Sequence, residues 1–207
     1  MKIIDGVKTL VGTPAIIPDT NRNDLPAFFV EMGYKTGAEI GVHKGKYTVF
    51  FCEAGLNMFA VDPWMGFIGQ GQDQTKQEVQ DGYYQQAFSR LSRYNCKIVR
   101  KTSMDALADF EDGSLDFVYI DGDHSFQHIA NDIVYWSKKV RRGGTVSGHD
   151  YFNTWSGAKN VLCQVGVIVD AYTKAFDINP WWLVGEVDPE KELNRKERFY
   201  SWMWIKK

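Results

Sequence analysis

The stretch AEIGVHKGKYT, residues 38–48, decides how the rest of the chain is read. An apolar run leads into it, and two glycines, Gly41 and Gly45, interrupt it. YTVFFCEAG (47–55) then follows with helical spacing and closes on Gly55, as expected of a glycine just past a helix end. A strand that leaves through glycines into a helix opens a βα unit. Its backbone can approach a ligand closely, and the helix N-terminus favours negative charge there. Glu39 lies inside that strand, two residues before the first glycine. A carboxylate beside a pyrophosphate would be repelled, whereas beside an ammonium group it would be attracted.

Outward from this corner the unit recurs. LNMFAVDPW (56–64), CKIVR (96–100), LDFVYID (115–121) and TVSGHDY (145–151) read as strands. Helical stretches separate them at 83–95, 103–110 and 124–140. In the last of these Phe126, Ile129, Ile133, Trp136 and Val140 keep the three-or-four step of a buried face. A further helix is expected at about 160–175. FDINPWWLVGEV and RFYSWMWIKK then form two strands with no helix between them. The expectation is an α/β fold: a doubly wound, mostly parallel seven-stranded sheet with an antiparallel C-terminal edge hairpin, in one domain over 1–207. Residues 1–23, with Pro14, Pro18 and the turn NRND, read as an irregular N-terminal arm or cap. Asp24 is expected to cap the helix that follows. The polar, Gly- and Gln-rich segment 65–82 interrupts the alternation and reads as a mobile insertion or lid.

Bulk properties narrow the function class. With 24 basic and 26 acidic residues the formal net charge is −2, so no global field recruits nucleic acid or an anionic membrane. Three cysteines without CxxC spacing support neither a zinc site nor a disulfide framework, and the expected setting is reducing and cytoplasmic. Asp5 and Lys8 break the apolar N-terminus, so it does not read as a secretory signal, and no run is long enough for a membrane span.

The ligand follows from two acids. The dinucleotide fingerprint GxGxxG is absent, because only the outer glycines stand in Gly41-Val42-His43-Lys44-Gly45. Asp62 ends the next strand, where a carboxylate can accept ribose hydroxyls. Ribose recognition beside a cationic, phosphate-free group describes S-adenosylmethionine. The competing structural reading is that both acids serve only to tie strand ends.

The run AEIGVHKG…FAVDPW…CKIVRKTSMDAL…GSLDFVYIDGDHS…VRRGGTVSGHDY resembles the class I S-adenosylmethionine-dependent methyltransferases, with their Rossmann-like sheet. It is most similar to their small-molecule O-methyltransferase-like group. That resemblance, over about residues 35–175, implies that Glu39, Gly41 and Gly45, with His43 between them, line the methionine end of the cofactor. It further implies that Asp62 holds the ribose, that Ser103 and Met104 flank the adenine, and that Asp121 and Asp123 lie beside the reactive methyl. His43 and Phe126 depart from the family pattern.

A hydroxyl acceptor needs a base or a metal before it can attack a sulfonium methyl. Asp121, Asp123 and His124 follow one strand, and His149 and Asp150 follow the next, so both loops are expected on one rim. His149, Asp121 and His124 are the catalytic candidates; Asp121 and Asp150 are the candidate ligands of Mg²⁺. His124 and His128, four apart on the expected helix, offer a second metal pair with Asp121. Trp64, Tyr151, Phe152 and Trp155 are candidate walls of a pocket for a small-molecule acceptor such as a sugar or natural product. Trp181, Trp182, Trp202 and Trp204 could form the dimer surface of a homo-oligomer. A cofactor-binding module without turnover and an NAD-dependent dehydrogenase are the alternatives.

Overall fold

The glycine corner joins a five-residue strand to a short helix, and the sheet is built around that strand. The computed structural model describes residues 1–66, 76–152, 154–156, 161–185 and 199–207. In chain order these form α1 (Ile3–Thr9), β1 (Ala15–Ile17), a 3-10 turn (Arg22–Asp24), α2 (Leu25–Glu31), β2 (Thr36–Ile40), α3 (Thr48–Glu53) and β3 (Asn57–Val61). There follow α4 (Gln77–Leu91), β4 (Cys96–Val99), α5 (Ser103–Ala106) with a 3-10 turn (Leu107–Asp109), β5 (Leu115–Ile120), α6 (Phe126–Lys139) and β6 (Val140–Tyr151). The chain closes with β7 (Thr154–Ser156), β8 (Val161–Cys163), α7 (Val165–Ala175), β9 (Trp182–Val184) and β10 (Tyr200–Ile205).

The main sheet has eight strands in the order β1-β9-β10-β6-β5-β2-β3-β4, and β7 pairs with β8 separately. β6, β5, β2, β3 and β4 run parallel, while β10 is antiparallel to both β6 and β9. All seven expected strands are present. The eighth, β1, pairs parallel to β9 through Ala15↔Trp182 and Ile17↔Val184. It lies in the segment read as an irregular arm, because three residues are too few to show alternation. The same segment carries α1, whose Ile3 is buried.

β5 shows why the sheet is covered on both faces. Its alternate residues Phe117 and Tyr119 pack with the layer of α1–α4, while Val118 and Ile120 pack with α6 and α7. On α6, Ile129, Ile133 and Trp136 are buried as the spacing predicts, but Phe126 is 54% exposed at the helix start. Asp24 does not cap α2 by its side chain. Its carboxylate accepts from Asn21 N–H (2.8 Å) in a capping box of the preceding turn.

Two further expectations change. The hairpin tryptophans are not a dimer surface: Trp181, Trp182, Trp202 and Trp204 are at most 3% exposed. The reason is topological, because β10 lies between β9 and β6 and β1 covers the outer side of β9. The interruption after β3 is also shorter than read, since α4 starts at Gln77; residues 67–75 lie outside the described residues. No helix among the described residues is long and apolar enough to cross a membrane.

Candidate active site

The strand order reverses at β2. From β2 the chain moves outward to β3 and β4, then returns to β5 on the other side. A crevice opens beyond the strand ends at such a point. Sheet pairing continues right to the exits: Gly41 N–H donates to Val61 O (2.9 Å) and Asp121 N–H to Ile40 O (2.7 Å). Gly41 has φ +91°, and a Cβ there would sit 2.2 Å from the Asp121 carbonyl oxygen. Only glycine lets the two exits meet this closely.

The loop that leaves β2 is tied down by Asp62. One carboxylate oxygen accepts from Val42 N–H (3.0 Å) and His43 N–H (2.9 Å), and the other from Trp64 N–H (2.8 Å). The Trp64 indole donates to His43 O (2.7 Å) and packs edge-on against Tyr84, which leaves Trp64 1% exposed. Trp64 is therefore a clamp on the loop and not a pocket wall. Burial pushes the Asp62 carboxyl up, against the three amide donors. A carboxylate offers about four lone-pair sites; with three in use, Asp62 has less left for a ribose than the two-hydroxyl grip expected of it.

A cavity of about 240 Å³ fills the crevice. Of the residues expected to hold a cofactor, Gly41, His43, Asp62, Ser103 and Asp121 line it. Glu39, Gly45 and Met104 do not. Glu39 is 1% exposed beneath the corner and accepts from the Thr48 hydroxyl at the start of α3. Burial raises its carboxyl well above the usual range, and the Asp121 charge adds to this. Gly45 faces Leu91 and Ala87 of α4, and Met104 packs on the core under α6. Their spacing marks a corner that has to pack tightly as well as one that can meet a ligand.

Several residues at the crevice carry no sequence motif that marks them. Gln80 belongs to the stretch read as an insertion, and Thr102 precedes α5. Asp132 lies on the face of α6 read as apolar, and a charged residue there was the available signal. Arg22 reaches the rim from the N-terminal segment, with Nη1 3.6 Å from Asp121 Oδ2 and its guanidinium over the Tyr47 ring.

The expected acid–histidine group does assemble at the ends of β5 and β6. His124 Nε2 is 3.1 Å from Asp150 Oδ2 and 3.5 Å from Asp121 Oδ1, and His149 Nδ1 is 3.0 Å from Asp150 Oδ1. Asp150 adopts φ +53°, an uncommon left-handed conformation for a non-glycine residue. Burial pulls the His124 pKa down, but Asp121, Asp150 and Asp123 outweigh it and the net effect is upward. Burial likewise works to raise Asp121, yet His124, His149 and Arg22 hold it below the usual carboxylate range. The Nε2 atom of His149 is buried without a hydrogen-bond partner among the described residues, whereas that of His124 faces the two carboxylates.

Asp121, His124 and Asp150 each bring a ligand atom within 4.8 Å of the other two. Two carboxylates converging on a buried imidazole nitrogen fit a divalent cation. The imidazole widens the choice from Mg²⁺, which favours oxygen, to first-row transition metals. His128 takes no part: its Nδ1 is 2.8 Å from Ser125 Oγ and 3.4 Å from Asp123. α6 begins at Phe126, so His124 precedes the helix and the two histidines do not share a face of it. Tyr151 donates to Asp170 (2.8 Å) and lines a separate cavity against α7. The Trp155 side chain lies outside the described residues.

Comparison with known proteins bears on the fold and the family. Among solved structures the chain resembles the O-methyltransferase from Bacillus cereus in complex with SAH, with TM-score 0.60 and 14% identity over 89% of this chain and 80% of that one. It also resembles the O-methyltransferase TomG of tomaymycin synthesis from Streptomyces achromogenes in complex with SAM (TM-score 0.59, 12% identity, 92% and 84% covered). The N-methyltransferase NodS from Bradyrhizobium japonicum is similar too (TM-score 0.57, 12% identity, 88% and 94% covered). These likenesses establish the fold. Curated relatives are the uncharacterized proteins y4gI of Sinorhizobium fredii (29% identical over 125 residues, 54% of this chain) and R132 of Acanthamoeba polyphaga mimivirus (27% over 95 residues, 46% of this chain). The match spans 12% and 41% of their respective lengths. A family profile described as a methyltransferase domain matches residues 38–151, more than half of the chain and the whole span from the glycine corner to the end of β6. The chain belongs to that methyltransferase-domain family.

Proposed function

We propose that the protein is an S-adenosylmethionine-dependent methyltransferase that moves a methyl group to a hydroxyl of a small, sugar-like or natural-product-like acceptor. The observation that carries the reading is that Asp121, which lines the same cavity as Gly41, Asp62 and Ser103, also belongs to the Asp121–His124–Asp150 group. The cofactor occupies the cavity with its ribose toward Asp62 and its sulfonium toward Asp121, whose negative charge suits a cation.

In the reaction the acceptor oxygen attacks the methyl carbon in line as the carbon–sulfur bond breaks, which releases S-adenosylhomocysteine. The acceptor's proton has to leave. Asp150 orients His149 through Nδ1, which leaves the buried Nε2 to receive it. His124 is the less suitable base, because its acidic neighbours favour the protonated form. Asp121, His124 and Asp150 would hold a divalent cation, and such an ion, when bound, makes a hydroxyl more acidic. Exclusion of water falls to the tight packing of the β2 and β5 exits around Gly41.

Titration calorimetry tests the cofactor: S-adenosylhomocysteine binds and NADH does not. Binding of NADH alone would turn the reading toward a dehydrogenase. Methyl transfer from labelled cofactor to a panel of hydroxyl and amine acceptors then tests the acceptor class. Full activity in excess EDTA would remove the cation and leave His149 as the proton acceptor.

A further inference from the structure

We propose that Asp132 reads the purine 6-position of the cofactor, accepting a hydrogen bond from the adenine amino group and rejecting a 6-oxo base. The assignment rests on the adenosyl cofactor proposed above and adds a specificity residue to its site.

Asp132 is an anomaly on its own helix. It stands on the buried face of α6 among Ile129, Ile133 and Trp136, and it is 3% exposed. Its Oδ1 is buried with no hydrogen-bond partner among the described residues, yet the residue lines the crevice cavity. Buried polar atoms are almost always paired, so an unpaired acceptor at a cavity wall marks where a ligand brings the donor. The groups that bear on it are Ser103 of α5, His128 one turn earlier on α6, and Asp123 of the β5 exit. The exit segment passes beside it: a Cβ on Gly122 would lie 3.6 Å from Asp132 Oδ2.

The cavity sets what reaches this oxygen. Gly41 and Asp62 line it from the β2 and β3 exits, and Thr102, Ser103 and Asp132 line it from α5 and α6. A nucleoside with its ribose at Asp62 and its sulfonium at Asp121 directs its base toward the α5 and α6 residues. Adenine offers an N–H donor at its 6-position, whereas hypoxanthine presents a carbonyl oxygen there. Burial pushes the Asp132 carboxyl up to about 6, which leaves it mostly ionised at pH 7.5. An ionised carboxylate only accepts hydrogen bonds. It is matched by the amine and opposed by the oxo group.

The test is calorimetry at pH 7.5 with S-adenosylhomocysteine and S-inosylhomocysteine on the wild type, Asp132→Asn and Asp132→Ala, each checked for folding by circular dichroism. Wild type is expected to prefer the adenosyl ligand by at least about tenfold, since a buried polar group left facing the wrong partner discriminates strongly. Asp132→Asn, whose amide both donates and accepts, brings the ratio close to one by gaining affinity for the inosyl ligand. Asp132→Ala reaches a ratio near one by losing the adenosyl ligand. A preference that survives both substitutions, or a wild type that does not discriminate, overturns the assignment and leaves the proposed function standing. A wild type that binds neither nucleoside overturns both.

Discussion

Replacing Asp132 with asparagine should stabilise the protein at neutral pH, although the residue lines the candidate site. Burial is the largest influence on this carboxyl and raises its pKa from 3.8 to about 6; Asp123 adds to the rise, while Ser103 and His128 oppose it. A tenfold change in proton affinity corresponds to about 1.36 kcal/mol, so a rise of this size costs about 3 kcal/mol once the group is ionised. The sign follows from proton affinity. The folded state binds this proton more tightly than the unfolded state, so the favourable contribution is full below pH 3.8 and is lost as pH rises through about 6. Asparagine keeps the shape and never ionises, but its own amide is left partly unpaired at a cost of about 1 kcal/mol. The expected net gain is about 2 kcal/mol at pH 7.5, and it should shrink by about 1 kcal/mol between pH 6 and pH 5. Urea denaturation of both proteins at pH 7.5, 6 and 5 measures this. A destabilised variant at pH 7.5, or a difference that does not change with pH, would refute the argument that the ionised carboxylate is buried with an oxygen unmatched.

Other positions give further tests. Gly41→Ala combines a left-handed backbone with a Cβ driven onto Asp121 O, and the two effects together should cost about 3 kcal/mol, so an unshifted melting temperature would show that the exits are not in contact. Thr48→Val deprives the buried Glu39 of its donor and should cost about 1–3 kcal/mol, yet leave nucleoside affinity unchanged; a lost affinity at unchanged stability would return Glu39 to the ligand. Asp62→Ala removes the acceptor of three backbone N–H groups and should lower stability by at least about 2 kcal/mol before any ligand is added, as denaturant titration would reveal. Calorimetry with Mn²⁺ should detect binding that Asp150→Asn weakens and that falls at lower pH as His124 takes up a proton; affinity indifferent to Asp150 would place the cation elsewhere.

Much of the fold is legible because periodicity reports burial. The alternation of LDFVYID and the three-or-four step after it identify β5 and α6, and the glycines of 38–48 identify the corner that follows β2. The rest depends on distances that no local pattern carries. β1 is three residues long and becomes a strand only because β9 offers it an edge. The tryptophans of β9 and β10 look like an exposed edge until β1 and β6 are placed on either side. At the site, the meeting of Asp121, His124, His149 and Asp150 follows from two adjacent parallel strands, so it was readable. The burial of Glu39 was not, because a carboxylate at the end of a strand reads the same whether a hydroxyl of the protein or an ammonium of a ligand meets it.

The carboxylates of the crevice show what distinguishes structure from ligand recognition here. Glu39 has the Thr48 hydroxyl, Asp62 has three backbone amides, Asp121 has Arg22 and His124, and Asp150 has two imidazoles. Each of those charges is met by a donor or a cation that the chain itself supplies, and removing the ligand leaves it compensated. The Asp132 carboxyl has Ser103 beside it, but its Oδ1 has no partner among the described residues, so at neutral pH that oxygen is matched when something enters the cavity carrying an N–H. Since a ligand stabilises the fold only by binding the folded state more tightly than the unfolded one, the shift in unfolding midpoint caused by S-adenosylhomocysteine should be larger in wild type than in Asp132→Ala, which has lost the acceptor, and about equal in wild type and Asp132→Asn, whose amide oxygen keeps it.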